Sequence, residues 1–328
     1  MKAIKILTMA ALATAVFASC SNDEDLAQSN YPMDNVVRIM TSVDGMNTRA
    51  SYGNSTDKLN SFGFCINNAG NTKYTYDNIK ITQKNGNWNP ATQMLWQNST
   101  TAVDILAYAP YQETTEDANG KVKVFGKPDY AFSVKADQSG AEDYSSDLIV
   151  YKQTGFKPGT ELNTSKAVDV SFTHLLSQLN LIIELRDQFN HNNNVTETFV
   201  TDVKVNGTYI SSKVDFTAPS IGVKVDETQE ATAITPQTTG FTEAKNATDH
   251  AAFNYSAIVI PQTVTTGNFS ISFKVDGSDY IWTATSDVKF ASGMKHELHL
   301  LVGKDVVQGG TISATPWGNG GTGSLETD

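Results

Sequence analysis

The strongest constraint on this chain is a period-2 alternation of apolar residues in short runs, cut by turn-forming residues. Leu179, Leu181, Ile183 and Leu185 fall on one side of an extended segment. Phe269, Ile271, Phe273 and Val275 alternate with Ser270, Ser272 and Lys274, and Val168, Val170 and Phe172 with Asp169 and Ser171. Val37, Ile39, Thr41 and Val43 share a face opposite Arg38 and Ser42. Phe62, Phe64 and Ile66 repeat the pattern, as do Val103, Ile105 and Ala107, and late in the chain His296, Leu298, Leu300 and Val302. Side chains alternate faces along a strand, so each run describes a strand with one buried face. Asp276-Gly277 predicts a two-residue hairpin ahead of Tyr280 and Trp282. Asn206-Gly207 predicts another, between Val203–Val205 and Tyr209–Ile210. Charged residues make up only 18% of the chain, and runs of helix formers at helical spacing are missing. The expected class is therefore all-β.

Antiparallel strands at this spacing predict sandwiches. With about 300 residues after the leader, two domains are expected. We place one β-sandwich over 36–160 and one over 161–328, parted at the turn-rich stretch from Lys157-Pro158-Gly159-Thr160 to Lys166. Gln229 to Asp249 is polar and threonine-rich and reads as a long loop. Gly309-Gly310 and the glycine-rich stretch from Gly318 to Gly323 flank Thr311 to Trp317, which predicts a mobile C-terminal segment.

The N-terminus carries an address. Lys2 and Lys5 precede an apolar stretch from Ile6 to Phe17, then Ala18-Ser19-Cys20. A basic start, a short apolar core and small residues at a cut make a secretory signal over 1–19. The stretch is too short to span a bilayer. Small residues ending in cysteine resemble a bacterial lipobox, which implies acylation of Cys20; the alternative is an ordinary cleaved signal. Residues 20–35 read as an acidic flexible tether, and Asp23-Glu24-Asp25 resembles the surface-export signal of Bacteroidetes lipoproteins.

The formal charge of −11 becomes about −13 once Lys2 and Lys5 leave with the signal. So acidic a chain repels phosphate backbones, and nucleic acid is not an expected partner. With Cys20 acylated, Cys65 has no disulfide partner, and its setting in Phe62-Gly63-Phe64-Cys65-Ile66 reads as a small buried residue. His296-Glu297-Leu298-His299 lacks the i, i+4 spacing of a zinc helix. On a strand these two histidines face opposite sides and read as structural. His174 reads as a core or rim histidine. Asp143 and Asp147 lack the spacing of a calcium loop. Trp88, Trp96, Trp282 and Trp317 could form a sugar platform, but tryptophan in a sandwich is more often core. No nucleophile–base pair can be named, so no enzyme, cofactor or metal is expected.

Several segments in order resemble the fimbrillin family, the type V pilins and related surface lipoproteins of Bacteroidetes. They are the lipobox at Cys20, Asn47-Thr48-Arg49-Ala50, Asp104 to Tyr111 (Asp-Ile-Leu-Ala-Tyr-Ala-Pro-Tyr), Val170 to Leu179, Ala257 to Gln262, and Pro316-Trp317-Gly318. The resemblance implies two tandem transthyretin-like β-sandwiches and an outer-membrane, surface-exposed lipoprotein. It implies cleavage by an arginine-specific protease at Arg49-Ala50. That cut releases the first strand, with Val37, Ile39 and Val43 on its inward face. A C-terminal strand of another subunit then fills the groove. The expected donor is Thr311 to Trp317, with Thr311, Ile312, Ala314 and Trp317 as its residues; Leu298 to Val302 suits the protein's own core better. The expected partners are other pilin subunits, the membrane through the N-terminal lipid, and a host or bacterial surface ligand. The competing readings are a monomeric surface adhesin that binds through loops such as Gln229 to Asp249, and a glycan-capturing lipoprotein.

Overall fold

The computed structural model describes residues 30–43, 58–113, 124–140, 144–190, 195–217, 220–245, 249–310 and 312–317. Cys20, Arg49, Ala50, Asp143 and Thr311 lie outside the described residues. Strands dominate. The first eight are β1 (Ile39–Val43), β2 (Ser61–Asn67), β3 (Tyr76–Lys84), β4 (Asn87–Pro90), β5 (Val103–Ala109), β6 (Tyr130–Ser133), β7 (Ile149–Phe156) and β8 (Val168–His174). There follow β9 (Ser177–Leu185), β10 (Val200–Asn206), β11 (Ser211–Asp215), β12 (Gly222–Val225), β13 (Gln237–Thr242), β14 (Ala251–Val259) and β15 (Gln262–Val264). The last are β16 (Ser270–Val275), β17 (Ser278–Thr283), β18 (Val288–Phe290), β19 (Met294–Val302), β20 (Val307–Gly309) and β21 (Ser313–Pro316).

A seven-stranded sheet runs β1-β8-β7-β5-β2-β3-β4. Its neighbours are antiparallel except for β1, which lies parallel to β8. A second sheet runs β13-β14-β9-β19, with β20 and β21 both on the far side of β19. Two three-stranded sheets, β10-β16-β17 and β12-β11-β6, and the pair β15-β18 complete the molecule.

The alternating runs become one-sided strands. Leu179, Leu181, Ile183 and Leu185 of β9 are buried, as are Phe269, Ile271, Phe273 and Val275 of β16 and its approach. Asp276 and Gly277, at φ +48° and +78°, turn β16 into β17 as predicted. β2 and β5 are different, because they are buried on both faces. Phe62, Phe64, Ile66, Ile105 and Ala107 enter one core with Val37, Ile39, Val43 and Phe172. Cys65, Leu106 and Tyr108 enter a second, larger core that also holds most of the apolar residues beyond Leu175. A sandwich-core strand of this kind reads as a continuous apolar run, which is why Ile105 to Ala109 shows little polar alternation.

Three expectations need correction. β8 follows residue 161 yet belongs to the first sheet, and β6 precedes it yet pairs with β11. A cut between 160 and 161 therefore crosses both sheet and core; the first sheet extends through His174. Gln229 to Asp249 is not one long loop, for it contains β13, antiparallel to β14. Asn206-Gly207 does not make a hairpin: β10 pairs with β16, while β11 pairs with β6 and β12. Gly207 is needed for another reason. It sits at φ +88°, and a Cβ there would lie 2.0 Å from the Asn268 carbonyl oxygen.

Candidate functional site

The first strand was expected to be removable, and its setting is that of an edge. Among the described residues β1 pairs with β8 alone, residue for residue from Ile39↔Val168 to Val43↔Phe172. Val37, Ile39 and Val43 point into the first core, each less than a tenth exposed, while Arg38, Met40 and Ser42 face outward. Inward-facing Thr41 leaves its hydroxyl without a partner among the described residues. Outside, Arg38 clasps Asp34 at 2.6 Å, which draws the Asp34 carboxyl down to about 2 by hydrogen bonding.

The seven-stranded sheet curls until its two edges face each other. The approach to β1 bridges them: Val37 N–H donates to Met94 O at 3.0 Å, and Trp96 N–H to Asn35 O at 2.8 Å. Beyond that bridge a cleft of about 790 Å³ opens between β1 and β4, with Met40, Trp88 and Pro90 on its walls.

The expected donor segment lies at the other end of the molecule and is docked. β21 pairs with Met294 to Glu297 of β19. Trp317 is 1% exposed and stacks face to face on His174, with centroids 4.0 Å apart and planes 1° from parallel. The mobile segment predicted here is thus a seated strand over Ser313–Pro316, because an indole supplies the burial that its short polar sequence lacks. Ile312 and Ala314 are half-buried. The indole N–H of Trp317 has no acceptor among the described residues. Leu298, Leu300 and Val302 are fully buried in β19, between β9 and β20, as their pattern required.

His174 is a core histidine whose Nδ1 lies 2.9 Å from the buried Asp147 carboxylate. His296 and His299 do face opposite sides. His296 is 2% exposed and takes the Ala291 N–H on Nε2 at 3.2 Å, and burial holds its pKa down at about 4. His299 lies on the outer face 2.8 Å from Glu184, which also meets His250; hydrogen bonding to Glu184 raises the His250 pKa. Cys65 is fully buried, its thiol pushed up by burial and aimed at Asp77. Of the tryptophans, Trp96 and Trp317 are core, while Trp88 and Trp282 line clefts. No sequence signal marked the His174–Trp317 stack, because its partners lie 143 positions apart in the chain.

The fimbrillin-like family model matches residues 48–317, from the segment after β1 to Trp317. The chain belongs to the fimbrillin-like family. No curated protein matches it. Among solved structures, it is similar to a candidate cell-adhesion protein from Bacteroides uniformis, with a TM-score of 0.56 at 18% identity, covering 87% of this chain and 100% of that one. A candidate cell-adhesion protein from Bacteroides ovatus gives 0.58 at 14%, covering 86% and 97%. A fimbrial protein from Bacteroides vulgatus gives 0.55 at 16%, covering 86% and 99%. These likenesses establish a shared all-β fold for a fimbrillin-like chain.

Proposed function

We propose that this protein is a non-enzymatic fimbrial subunit. It is exported to the cell surface as a lipoprotein acylated on Cys20, trimmed after Arg49, and polymerised by strand exchange in support of adhesion. The observation that carries this reading is the position of β1. Among the described residues it is the terminal strand of its sheet, paired on one side, and its inward side chains belong to the core. The peptide bond expected to be cut follows it in sequence.

Burying Val37, Ile39 and Val43 contributes roughly 1.5–3 kcal/mol each, or about 5–9 kcal/mol together. A whole domain is stable by only about 5–15 kcal/mol. A first sheet stripped of β1 exposes an apolar groove along Val168, Val170 and Phe172. Refilling it with a strand from another subunit restores both the ladder and the core, the general logic of strand addition. The donor reading for Ile312, Ala314 and Trp317 then requires β21 to leave β19 first. Four residue pairs and one indole hold it there.

The test uses the chain beginning at Ser21, treated with an arginine-specific protease and followed by size-exclusion chromatography and unboiled SDS gels. Cleavage at Arg49 followed by SDS-resistant ladders is the expected result. An uncut chain, or a cut chain that stays a stable monomer, would sink the polymerisation reading and leave a monomeric surface adhesin.

A further inference from the structure

A second cleft, of about 940 Å³, lies on the open side of the C-terminal layers, between β17–β18 and β20–β21. Its size is in the upper part of the range for ligand sites, about 300–1,000 Å³. One wall is the half-buried indole of Trp282. Gly309 of β20 packs against its pyrrole ring, so closely that a Cβ there would lie 2.1 Å from Nε1. The buried end holds His296. Its Nε2 accepts the Ala291 N–H, so in the neutral ring the proton sits on Nδ1. Nδ1 makes no hydrogen bond among the described residues, and the residue, 2% exposed, lines the cleft. The rim supplies Thr263, Ser286, Asp287 and Lys289. Asp287 already binds Thr266 through Oδ1, leaving Oδ2 available.

We propose that this cleft is a binding site for a neutral saccharide, with Trp282 as the stacking wall and His296 Nδ1–H as the buried donor. The rim argues for the class of ligand. Hydroxyls and one charge of each sign suit a ligand that both donates and accepts many hydrogen bonds but carries no net charge. A flat aromatic wall suits the C–H face of a pyranose. Burial keeps the imidazole neutral through the physiological range, so it serves as a donor without adding a cation. This site is independent of β1, but β21 supplies part of its wall, so the cleft is complete only while β21 stays seated on β19.

The experiment titrates neutral di- to hexasaccharides of glucose, galactose, mannose and N-acetylglucosamine, up to about 10 mM, into the uncut chain from Ser21. Tryptophan fluorescence and isothermal titration calorimetry are the readouts. One series should saturate with Kd on the order of 0.1–5 mM, a weak-affinity range of about −3 to −5.5 kcal/mol. Trp282→Ala should raise Kd by about tenfold or more, equivalent to about 1.4 kcal/mol. Gly309→Ala, which displaces the indole, should follow it. Ser286→Ala and Lys289→Ala sit on exposed positions that do not threaten the fold, and each should raise Kd about two- to fivefold. Absence of saturation in every series would overturn the proposal. So would binding unchanged in all four variants, or preference for charged over neutral sugars.

Discussion

β1 and β21 are both short strands at the edge of a sheet, and they are held in place by different means. β1 makes five residue pairs with β8, and β21 makes four with β19, so their main-chain attachment is nearly equal. Their side chains differ. Val37, Ile39 and Val43 spread the burial of β1 and its approach over seven residues, whereas β21 itself is largely exposed and only Trp317, just past its end, is buried. Each edge also carries a buried polar group without a partner among the described residues, the Thr41 hydroxyl in one and the Trp317 indole N–H in the other. An unpaired buried group costs about 1–3 kcal/mol, so neither edge is held as tightly as its burial alone would allow. Backbone pairing sets where a strand sits, and side-chain burial sets how hard it is to remove.

The largest expected effect breaks the first edge. Ile39→Asp removes an aliphatic side chain, worth about 2–5 kcal/mol for truncation to alanine, and places an unpaired carboxylate in the core, which costs more. Urea unfolding should show a loss of about 5 kcal/mol or more in the first sheet. Trp317→Ala is the matched change at the other edge. Its upper bound is about 3–5 kcal/mol, but the strand it frees is terminal and has few buried side chains. Most of the loss should therefore be local. Hydrogen exchange at Met294 to Glu297 should accelerate strongly while the global midpoint moves much less. Equal global losses in the two variants would refute the contrast.

Acid should separate the edges next. His296 pairs across the ladder with Ala314 of β21 and packs edge-on against Phe290 at 5.1 Å. Its folded pKa of about 4 lies below the ordinary 6.5 because the ring is buried. As pH falls the unfolded chain takes up the proton first. The stability is therefore complete above about 6.5 and is lost as pH falls towards 4, by about 3 kcal/mol. β1 itself has no ionisable residue; Arg38 just before it is paired with Asp34, which titrates near 2. Between pH 6.5 and 4 the second edge should loosen and the first should not. His296→Phe should flatten this part of the pH–stability curve.

What could be read from the chain follows the range of the interaction. β9, β16 and β1 were legible because their burial is one-sided and alternation reports it directly. Asp276-Gly277 was legible because its hairpin is local; Asn206-Gly207 carries the same dipeptide, but β10 found a better apolar partner in β16 than in the polar residues after the turn. The pattern of β8, Val-Asp-Val-Ser-Phe, says only that one face is buried and not against which sheet, so the sequence alone does not assign it to the first sheet. β13 is not legible in the sequence because Thr238, Thr239 and Thr242 give no apolar contrast. At the candidate sites, the inward set of β1 was visible, but the seat of Trp317 on His174 depends on folding over 143 positions. The free Nδ1 of His296 is equally invisible, since only the position of the Ala291 amide assigns the tautomer.

The smallest expected effect sharpens the account of β1. Its outward face has contacts of its own: the Ser42 hydroxyl meets the Ser171 hydroxyl at 2.9 Å, and Arg38 meets Asp34. These are exposed, so water competes for every partner and the net gain is small. Ser42→Ala should therefore change stability by no more than about 0.5 kcal/mol, as exposed substitutions commonly do. A loss above about 1.5 kcal/mol would mean that the outer face helps to retain β1. Release of the strand would then depend on breaking the polar contacts of Ser42 and Arg38 as well as on emptying the apolar groove.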